Sequence, residues 1–181
     1  DLTSGRLKRS LQGHTGGISA IALTPNGQQI VSGSLDATIK VWELDTRRLL
    51  RSLDGHTEIV TALVVTPDGQ QVVSGSRDRT IKVWDLTSGR LLHSIEGHKD
   101  RVNALAVTPD GQQIIGAADQ TVKVWELTSG RSLRSMEGHT GWVSSVVVTP
   151  NGQQVVSGSG DQTIKIWDLK NGQLVRTLEG H

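Results

Sequence analysis

Two short motifs recur along the chain with a nearly constant period. A Gly-His pair occurs five times, and its histidines are spaced 42, 42, 41 and 42 residues apart. A Trp followed by an acidic residue occurs four times and keeps the same period. A repeat of this length cannot bury a core by itself, so it has to pack against its neighbours. The period therefore restricts the chain to a stack of similar units.

Each repeat carries the signals of four short strands. After the Gly-His pair, a run of apolar and β-branched residues such as 60–65 ends at a Thr-Pro-Asp/Asn-Gly turn. A second strand, a turn at an Asp, a third strand ending at the Trp and a more polar fourth strand follow. Four strands in each period predict an all-β chain, a β-propeller built of four-stranded antiparallel blades.

The same pattern predicts a single propeller segment over residues 1–181. Its four repeats are expected at about 14–55, 56–97, 98–138 and 139–181. Because residues 1–6 match residues 85–90, Leu7 to Leu11 is expected to be a surplus outer strand within an orphan segment, 1–13. Three ways of completing the ring stay open: two copies pairing into eight blades, further repeats in a longer array, or four blades closing alone. Pairing is ranked first and closure of four blades last.

Composition and charge exclude several classes of partner. The net charge is +1, with 19 basic and 18 acidic residues interspersed, so neither nucleic acid nor an anionic membrane is expected to bind. No apolar run approaches the length that spans a bilayer. The chain has no cysteine, which is compatible with an expected cytoplasmic location. The histidines lack the spacing of metal ligands, so neither a metal nor another cofactor is predicted.

The recurring Gly-His pair, Asp turn and Trp-Asp/Glu pair resemble the WD-repeat β-propeller family over the whole chain. This resemblance implies that a His, a Ser, an Asp and the Trp of one repeat form a hydrogen-bonded tetrad that stabilises the blade. The matching positions, repeat by repeat, are His14, Ser32, Asp36 and Trp42; His56, Ser74, Asp78 and Trp84; His98, Asp119 and Trp125; and His139, Ser157, Asp161 and Trp167. A buried indole N–H and imidazole are costly unless paired, which is a physical reason for such a network.

The third repeat departs from this pattern. It is one residue shorter than the others, and Gly116 stands where the others have the Ser. Its tetrad has therefore lost a member, and its blade is expected to be the least rigid of the four. Uniform protection from hydrogen exchange across all four blades would contradict this expectation.

The combination of Ser, His and Asp also occurs in hydrolases, where the Ser is a nucleophile and the His its base. A catalytic set is normally unique and lies in a cleft, whereas here three complete sets recur, one to a repeat. The sets are therefore interpreted as structural, and the chain is predicted not to be an enzyme.

Differences between the repeats cluster just after the His and around the turn Asp. These two loops are expected on the same rim, where the resemblance implies that a protein or peptide binds. The candidate partner-binding residues are Trp142, Arg101, Ile59, Gly17, Arg77 and Arg79. Trp142 is the strongest, because it lies outside the repeated Trp-acid pairs and because Trp and Arg are enriched at binding hot spots.

The predicted function is a non-enzymatic interaction scaffold. The near-identical repeats resemble those of bacterial proteins that carry such arrays beside signalling domains, which implies a sensor or docking module of a larger protein. The alternative is a self-assembling unit, a homodimer forming an eight-bladed ring, natural or engineered, with no dedicated ligand.

Overall fold

Four antiparallel sheets of four strands follow one another along the chain. The structure is a computed structural model that describes residues 10–180, and its sixteen strands lie within that range. Each sheet is called a blade, numbered in chain order. The strands are β1 (Ile18–Leu23), β2 (Gln29–Ser34), β3 (Ile39–Glu43) and β4 (Leu49–Leu53) in blade 1; β5 (Val60–Val65), β6 (Gln71–Ser76), β7 (Ile81–Asp85) and β8 (Leu91–Ile95) in blade 2; β9 (Val102–Val107), β10 (Gln113–Ala118), β11 (Thr121–Glu126) and β12 (Ser132–Glu137) in blade 3; and β13 (Val143–Val148), β14 (Gln154–Ser159), β15 (Ile164–Asp168) and β16 (Leu174–Leu178) in blade 4.

Within a blade the strands pair in sequence order, and between blades the first strands make the contacts. The strands β1, β5, β9 and β13 pack against one another from blade to blade, so the fourth strand of each blade lies outermost. The predicted fold class is confirmed as all-β, with four-stranded blades. The predicted surplus strand, Leu7 to Leu11, begins outside the described residues and stays a prediction.

The Thr-Pro-Asp/Asn-Gly segments form the hairpin between the first two strands of each blade. In blade 2, Thr66 Oγ1 donates to Asp68 Oδ1 at 2.6 Å, and Gly69 N donates to the Thr66 carbonyl at 2.8 Å. Gly69 has a φ of +72°, a conformation that glycine adopts without steric cost. The turn residues therefore set the hairpin locally, before any packing between blades.

The turn at the Asp is shorter in blade 3 than in the other blades. Ala118 pairs directly with Thr121, which leaves a two-residue turn beginning at Asp119. In blade 2 the residue with positive φ is Arg79 (69°), one position after the turn Asp; in blade 3 it is Asp119 itself (40°). Asp tolerates this left-handed conformation better than most residues. The missing residue thus changes the backbone on which the Asp119 carboxylate is held.

The hydrophobic core is divided among the three junctions between neighbouring blades. Each junction is formed by equivalent positions of the repeat, with as many residues from the preceding blade as from the following one. Between blades 1 and 2 these are Val31, Ile39, Val41 and Leu53 against Val60, Val72, Trp84 and Leu86. Equivalent residues fill the junction between blades 2 and 3, and similar ones the junction between blades 3 and 4. Each blade thus has a leading face toward the preceding blade and a trailing face toward the following one.

The leading face of blade 1 and the trailing face of blade 4 are exposed to solvent. The first carries Ile18, Ile21, Leu23 and Ile30, and the second carries Val147, Val156, Ile164, Ile166, Val175 and Leu178. Ile21 is 68% exposed and Val175 is 54% exposed. The four blades therefore form an open stack with an apolar face at each end.

Candidate functional site

The tetrad of blade 2 is one continuous chain of hydrogen bonds. Trp84 Nε1 donates to Ser74 Oγ at 2.9 Å, Ser74 Oγ lies 2.8 Å from His56 Nε2, and His56 Nδ1 lies 2.7 Å from Asp78 Oδ2. With the carboxylate at Nδ1, the neutral imidazole carries its proton there, and Nε2 accepts the Ser74 hydroxyl proton. Every buried polar group of the tetrad thereby has a partner.

The tetrads of blades 1 and 4 have the same geometry. In blade 1 the Trp–Ser, Ser–His and His–Asp distances are 2.8, 2.8 and 3.0 Å. In blade 4 the same distances are 2.8, 2.8 and 2.7 Å. The predicted positions are therefore brought together in these blades by the loop before the first strand, the second and third strands and the Asp turn.

The turn Asp ties the tetrad to the backbone. Asp78 Oδ1 accepts the Thr80 N–H at 2.9 Å and its hydroxyl at 2.7 Å, while Oδ2 accepts the Thr57 N–H at 3.1 Å. Burial acts to raise the pKa of Asp78, but the hydrogen bonds from Thr80 and His56 outweigh it and lower the pKa to about 2. Similar bonds hold the pKa values of Asp36 and Asp161 below the usual range. These carboxylates stay ionised well into the acidic range.

In blade 3 the three remaining residues do not form such a network. His98 Nδ1 lies 3.8 Å from Asp119 Oδ2, and neither ring nitrogen of His98 has a hydrogen-bond partner in the described part of the chain. The Trp125 ring has moved toward the imidazole: their centroids are 5.3 Å apart, against 6.0 to 6.3 Å in the other blades. The missing hydroxyl and the shorter turn thus leave His98 buried and unpaired.

This environment disfavours the charged form of His98. Burial lowers its pKa to about 4, and the neighbouring Lys123 adds to the lowering, while Asp119 at 3.8 Å opposes it only in part. Burial also lowers the pKa of His56, against the opposing hydrogen bond from Asp78. Both imidazoles are therefore held in their neutral form.

Replacing Gly116 with Ala is expected to destabilise the chain by about 2 kcal/mol, because overpacked cores lose about 1–3 kcal/mol. A Cβ at this position would lie 2.9 Å from Ile81 Cδ1, 3.0 Å from Trp125 Cζ3 and 3.1 Å from His98 Nε2. Gly116→Ser adds the same Cβ but also a hydroxyl that can accept the indole N–H and pair with the imidazole. We expect the Ser variant to be more stable than the Ala variant in denaturant unfolding. Equal losses for the two would contradict this prediction.

In the intact tetrads, Asp, His and Ser are hydrogen-bonded one after the other, as in a hydrolase triad. The serine hydroxyl, however, is not available as a nucleophile. Ser74 and Ser157 are fully buried, and each hydroxyl oxygen already accepts an indole N–H. A nucleophile has to reach its substrate while its oxygen lone pair is available. The tetrads therefore serve to hold the blades together.

Trp142 lies on the rim and is 60% exposed. Its ring covers the backbone of Gly160: a Cβ at Gly160 would meet three indole carbons at 2.8 to 2.9 Å. In blade 1 the relation is reversed, because Leu35 covers Gly17, the residue equivalent to Trp142. In blades 1 and 4 the large side chain at one of these two positions thus lies over a glycine at the other, whereas blade 2 carries Ile59 and Arg77 there.

Two grooves border Trp142 on the rim. The arginine groove, of about 420 Å³, is lined by Glu58, Arg77, Asp100, Arg101, Asn103 and Trp142. The lysine groove, of about 670 Å³, is lined by Lys99, Asp100, Asp119, Gln120, Thr121, Lys123, Glu137, Thr140, Gly141 and Trp142. Trp142 and Asp100 belong to both grooves, which together extend over blades 2 to 4.

The structure brings three of the six predicted rim residues into one groove. Arg77, Arg101 and Trp142 line the arginine groove. Arg79 instead borders a separate hollow beside Glu96 and His98. Gly17 lies under Leu35 in blade 1, and Ile59 contributes its carbonyl, which accepts the Arg77 N–H at 2.9 Å.

Sequence reasoning missed the acidic and amide residues of the grooves. Glu58 and Asp100 lie in the variable loops that follow the His, so their position was a usable signal. Asn103 lies in β9, where the strand pattern gave no reason to expect a groove residue. Lys123 and Glu137 come from strands as well, and only the packing of blade 3 against blade 4 places them beside Trp142.

Within residues 10–180, no group of three or more His, Asp or Glu side chains could hold a metal ion. The same range has no helix that is long and apolar enough to cross a bilayer.

Stacked four-stranded blades with repeated tetrads and a variable rim define a propeller-type scaffold. The chain matches the family model described as WD domain, G-beta repeat, over residues 5–43, 47–85, 89–126 and 130–168. The chain therefore belongs to the WD40 repeat family, whose repeats are in general scaffolds for protein interaction. From the second match onward, each begins just before the outer strand of one blade and ends at the Trp-acid pair of the next.

Three characterised proteins are similar to a single repeat length of the chain. The chain is 46% identical over 46 residues to U3 small nucleolar RNA-associated protein 21 of Saccharomyces cerevisiae, which covers 25% of the chain and 5% of that protein. It is 43% identical over 44 residues to the Periodic tryptophan protein 2 homolog of Neurospora crassa and to Protein groucho of Drosophila melanogaster, covering 24% of the chain and 5% and 6% of those proteins. The chain thus spans about one twentieth of each relative.

Proposed function

We propose that the chain is a non-enzymatic docking module that binds a protein or peptide across the rim of blades 2 to 4. The observation that carries this proposal is the exposed Trp142 ring, held on Gly160 between two grooves. Large exposed aromatic rings in fixed positions are common centres of binding energy. The rigid sheets of the blades hold the rim loops in place, whatever the loop sequence.

The surroundings of Trp142 define the chemistry of the partner. Arg77 and Arg101 in the arginine groove stand beside Glu58 and Asp100, so both signs of charge are present. The lysine groove likewise carries Lys99 and Lys123 beside Asp119 and Glu137. A strongly acidic or strongly basic partner would meet like charges in either groove. We therefore assign an extended segment of mixed polarity that places an apolar or aromatic side chain against the indole.

Replacing Trp142 with Ala is expected to weaken partner binding about 30-fold, the loss typical of a hot-spot residue. Arg101→Ala is expected to weaken it less, because Arg101 lines one groove whereas Trp142 lines both. Partners captured by the unmodified chain are identified by mass spectrometry, purified and titrated against each variant by calorimetry.

The matched control is Leu35→Ala, which removes another exposed apolar side chain from the rim. Leu35 lies in blade 1 and lines neither groove, so its loss should leave the affinity unchanged. A partner that binds the Trp142→Ala and Arg101→Ala variants as tightly as the unmodified chain would refute the rim site.

We propose more specifically that this docking module belongs to a larger bacterial signalling protein. Its support is the repeat itself: Val-Thr-Pro-Asp/Asn-Gly-Gln recurs in three of the four repeats almost unchanged. The three relatives are eukaryotic and add nothing to this part. Copurification of the chain's native parent with a signalling partner would test it, and a parent with no such partner would contradict it.

A further inference from the structure

The junctions between blades share one contact between a small residue and two apolar ones. In the junction of blades 1 and 2, a Cβ at Gly33 would lie 2.6 Å from Val60 Cγ1 and 3.3 Å from Leu63 Cδ1. In the next junction, Gly75 stands in the same relation to Val102 and Leu105. The absence of a side chain on the trailing face thus lets the following blade approach closely.

The third junction shows that the two sides vary together. Ala117 replaces the glycine on the trailing face of blade 3, and Val146 replaces the Leu on the leading face of blade 4. One additional methyl group is therefore offset by a smaller partner, as close packing requires. Glycine pairs with a large apolar residue, and alanine pairs with valine.

A hydrogen bond also crosses each junction at the start of the first strands. Thr61 Oγ1 donates to the Val102 carbonyl at 2.5 Å, and Asn103 Nδ2 donates to the Val143 carbonyl at 2.8 Å. In the first junction, the Ser19 hydroxyl donates to the Val60 carbonyl. The same position of the repeat supplies the donor each time, and the first residue of the next blade supplies the acceptor.

The two exposed end faces carry the two halves of this arrangement. The leading face of blade 1 presents Ile18, which is 57% exposed, and Ile21. Ile21 occupies the position of Leu63 and Leu105 in the following repeats. The trailing face of blade 4 presents Gly158, whose Cβ would meet only the hydroxyl of Ser145. Ser144 holds the donor position and at present donates only to its own blade, to the Gly158 carbonyl at 3.2 Å. Gly158 and Ile21 therefore have the same combination as the first two junctions, a glycine on the trailing face and a large apolar residue on the leading face.

We propose that the trailing face of blade 4 binds the leading face of blade 1 in a second copy of the chain. Ile18 and Ile21 of one copy pack on Gly158 of the other, and the Ser144 hydroxyl donates to the Ile18 carbonyl. Two copies related by a two-fold axis make this contact twice, so both ends of both stacks are covered and the ring closes with eight blades. The cavity of about 650 Å³ between Leu11, Ile18, Ile30 and Trp42 is then covered by the other copy's blade 4.

The test is the mass of the chain in solution by size exclusion with light scattering. The expected mass is twice the 19.5 kDa of one chain. Ile21→Asp on the leading face and Val175→Asp on the trailing face are each expected to weaken the pair about 100-fold or more, because each buries an unpaired charge. Both residues are exposed in the single stack, so the variants should keep their strand signal in circular dichroism.

Leu91→Asp is the matched control, since Leu91 is an exposed apolar residue of β8 on neither end face. It should leave the pair intact. Should an aspartate variant fail to fold, Ile21→Ala and Val175→Ala replace it, with smaller losses in the same direction. A single chain at all concentrations, or species that keep growing with concentration, would overturn the closed pair. So would a loss confined to one face, since that result means like faces bind each other.

Discussion

Replacing Ser74 with Ala is expected to lower the free energy of unfolding by about 3 kcal/mol, because each buried group left unpaired costs about 1–3 kcal/mol. The Ser74 hydroxyl accepts the Trp84 indole N–H at 2.9 Å and lies 2.8 Å from His56 Nε2. Trp84 and His56 are both buried, so water does not replace the lost partner. The melting temperature is expected to fall by roughly 10 °C for a chain of this size.

The measurement is denaturant unfolding of the variant beside the unmodified chain. Ser94→Ala is the matched control in the same blade, because Ser94 is exposed and its hydroxyl accepts only a Lys82 ammonium, at 2.8 Å. Its loss should stay within about 0.5 kcal/mol, as for most surface changes. A Ser74→Ala variant as stable as the control would show that the tetrad adds little to blade stability.

The second large effect is a loss of stability between pH 6.5 and pH 4. The pKa of His98 is about 4 in the folded chain, against an ordinary value of 6.5, so the folded state binds fewer protons than the unfolded state in this range. The contribution of His98 is fully present above pH 6.5 and is lost as the pH falls to about 4. Its size is roughly 3 kcal/mol, at 1.36 kcal/mol for each pKa unit.

Other groups also change stability with pH, and the carboxylates do so in a separate window. The pKa of His56 is also lowered by burial, so His56 adds a loss of the same sign below pH 6.5. The pKa of Asp78 is lowered from 3.8 to about 2, so its contribution is present above pH 3.8 and is lost only below that value. The loss between pH 6.5 and pH 4 therefore belongs to the imidazoles.

Denaturant unfolding at closely spaced pH values measures this loss, and hydrogen exchange at the acidic end locates it. We expect the amides of β9 to β12 to lose protection first, because His98 belongs to blade 3. His98→Gln removes the titrating group and should reduce the slope of stability against pH. Stability that is constant from pH 6.5 to pH 4, or a slope unchanged by the substitution, would contradict the prediction.

The unpaired His98 lies directly beneath the proposed binding rim. Asp119, which faces its ring, also lines the lysine groove, and the Asp119 carbonyl accepts the Val143 N–H at 2.8 Å. Val143 follows Trp142 in the chain. The incomplete tetrad of blade 3 is thus joined through Asp119 and Val143 to Trp142, the residue on which the docking proposal rests. Opening of blade 3 in acid should therefore weaken partner binding as well.

The interior of a blade was largely predictable, because its contacts are close in sequence and repeat with a fixed spacing. The turn at Pro67-Asp68-Gly69 and the strand that contains Trp84 follow from local patterns alone, although that strand ends at Asp85, one residue after the predicted end at the Trp. The change at Gly116 could also be located from the spacing. The structural consequence of that change could not be predicted from the spacing. The φ of 40° at Asp119 and the 3.8 Å between its carboxylate and His98 depend on how a shorter turn relaxes against its neighbours.

The rim was predictable by region but not by residue. Variable loops indicated Arg77, Arg79 and Arg101 alike, yet only Arg77 and Arg101 reach the groove beside Trp142. Nor did the sequence show that Gly160 makes room for the indole ring. Such facts depend on which loop of one blade stands beside which loop of the next.

From its sequence alone, this chain is determined to be a stack of four-stranded blades with repeated His, Ser, Asp and Trp positions, because those features arise within one period. Only the tertiary structure decided which faces remain exposed, that Gly33 receives Val60 and Leu63, and that Gly158 is covered only by the hydroxyl of Ser145. The physical reason is that these contacts join residues of different repeats. Their distances are set by close packing of whole sheets, which no local pattern of residues specifies.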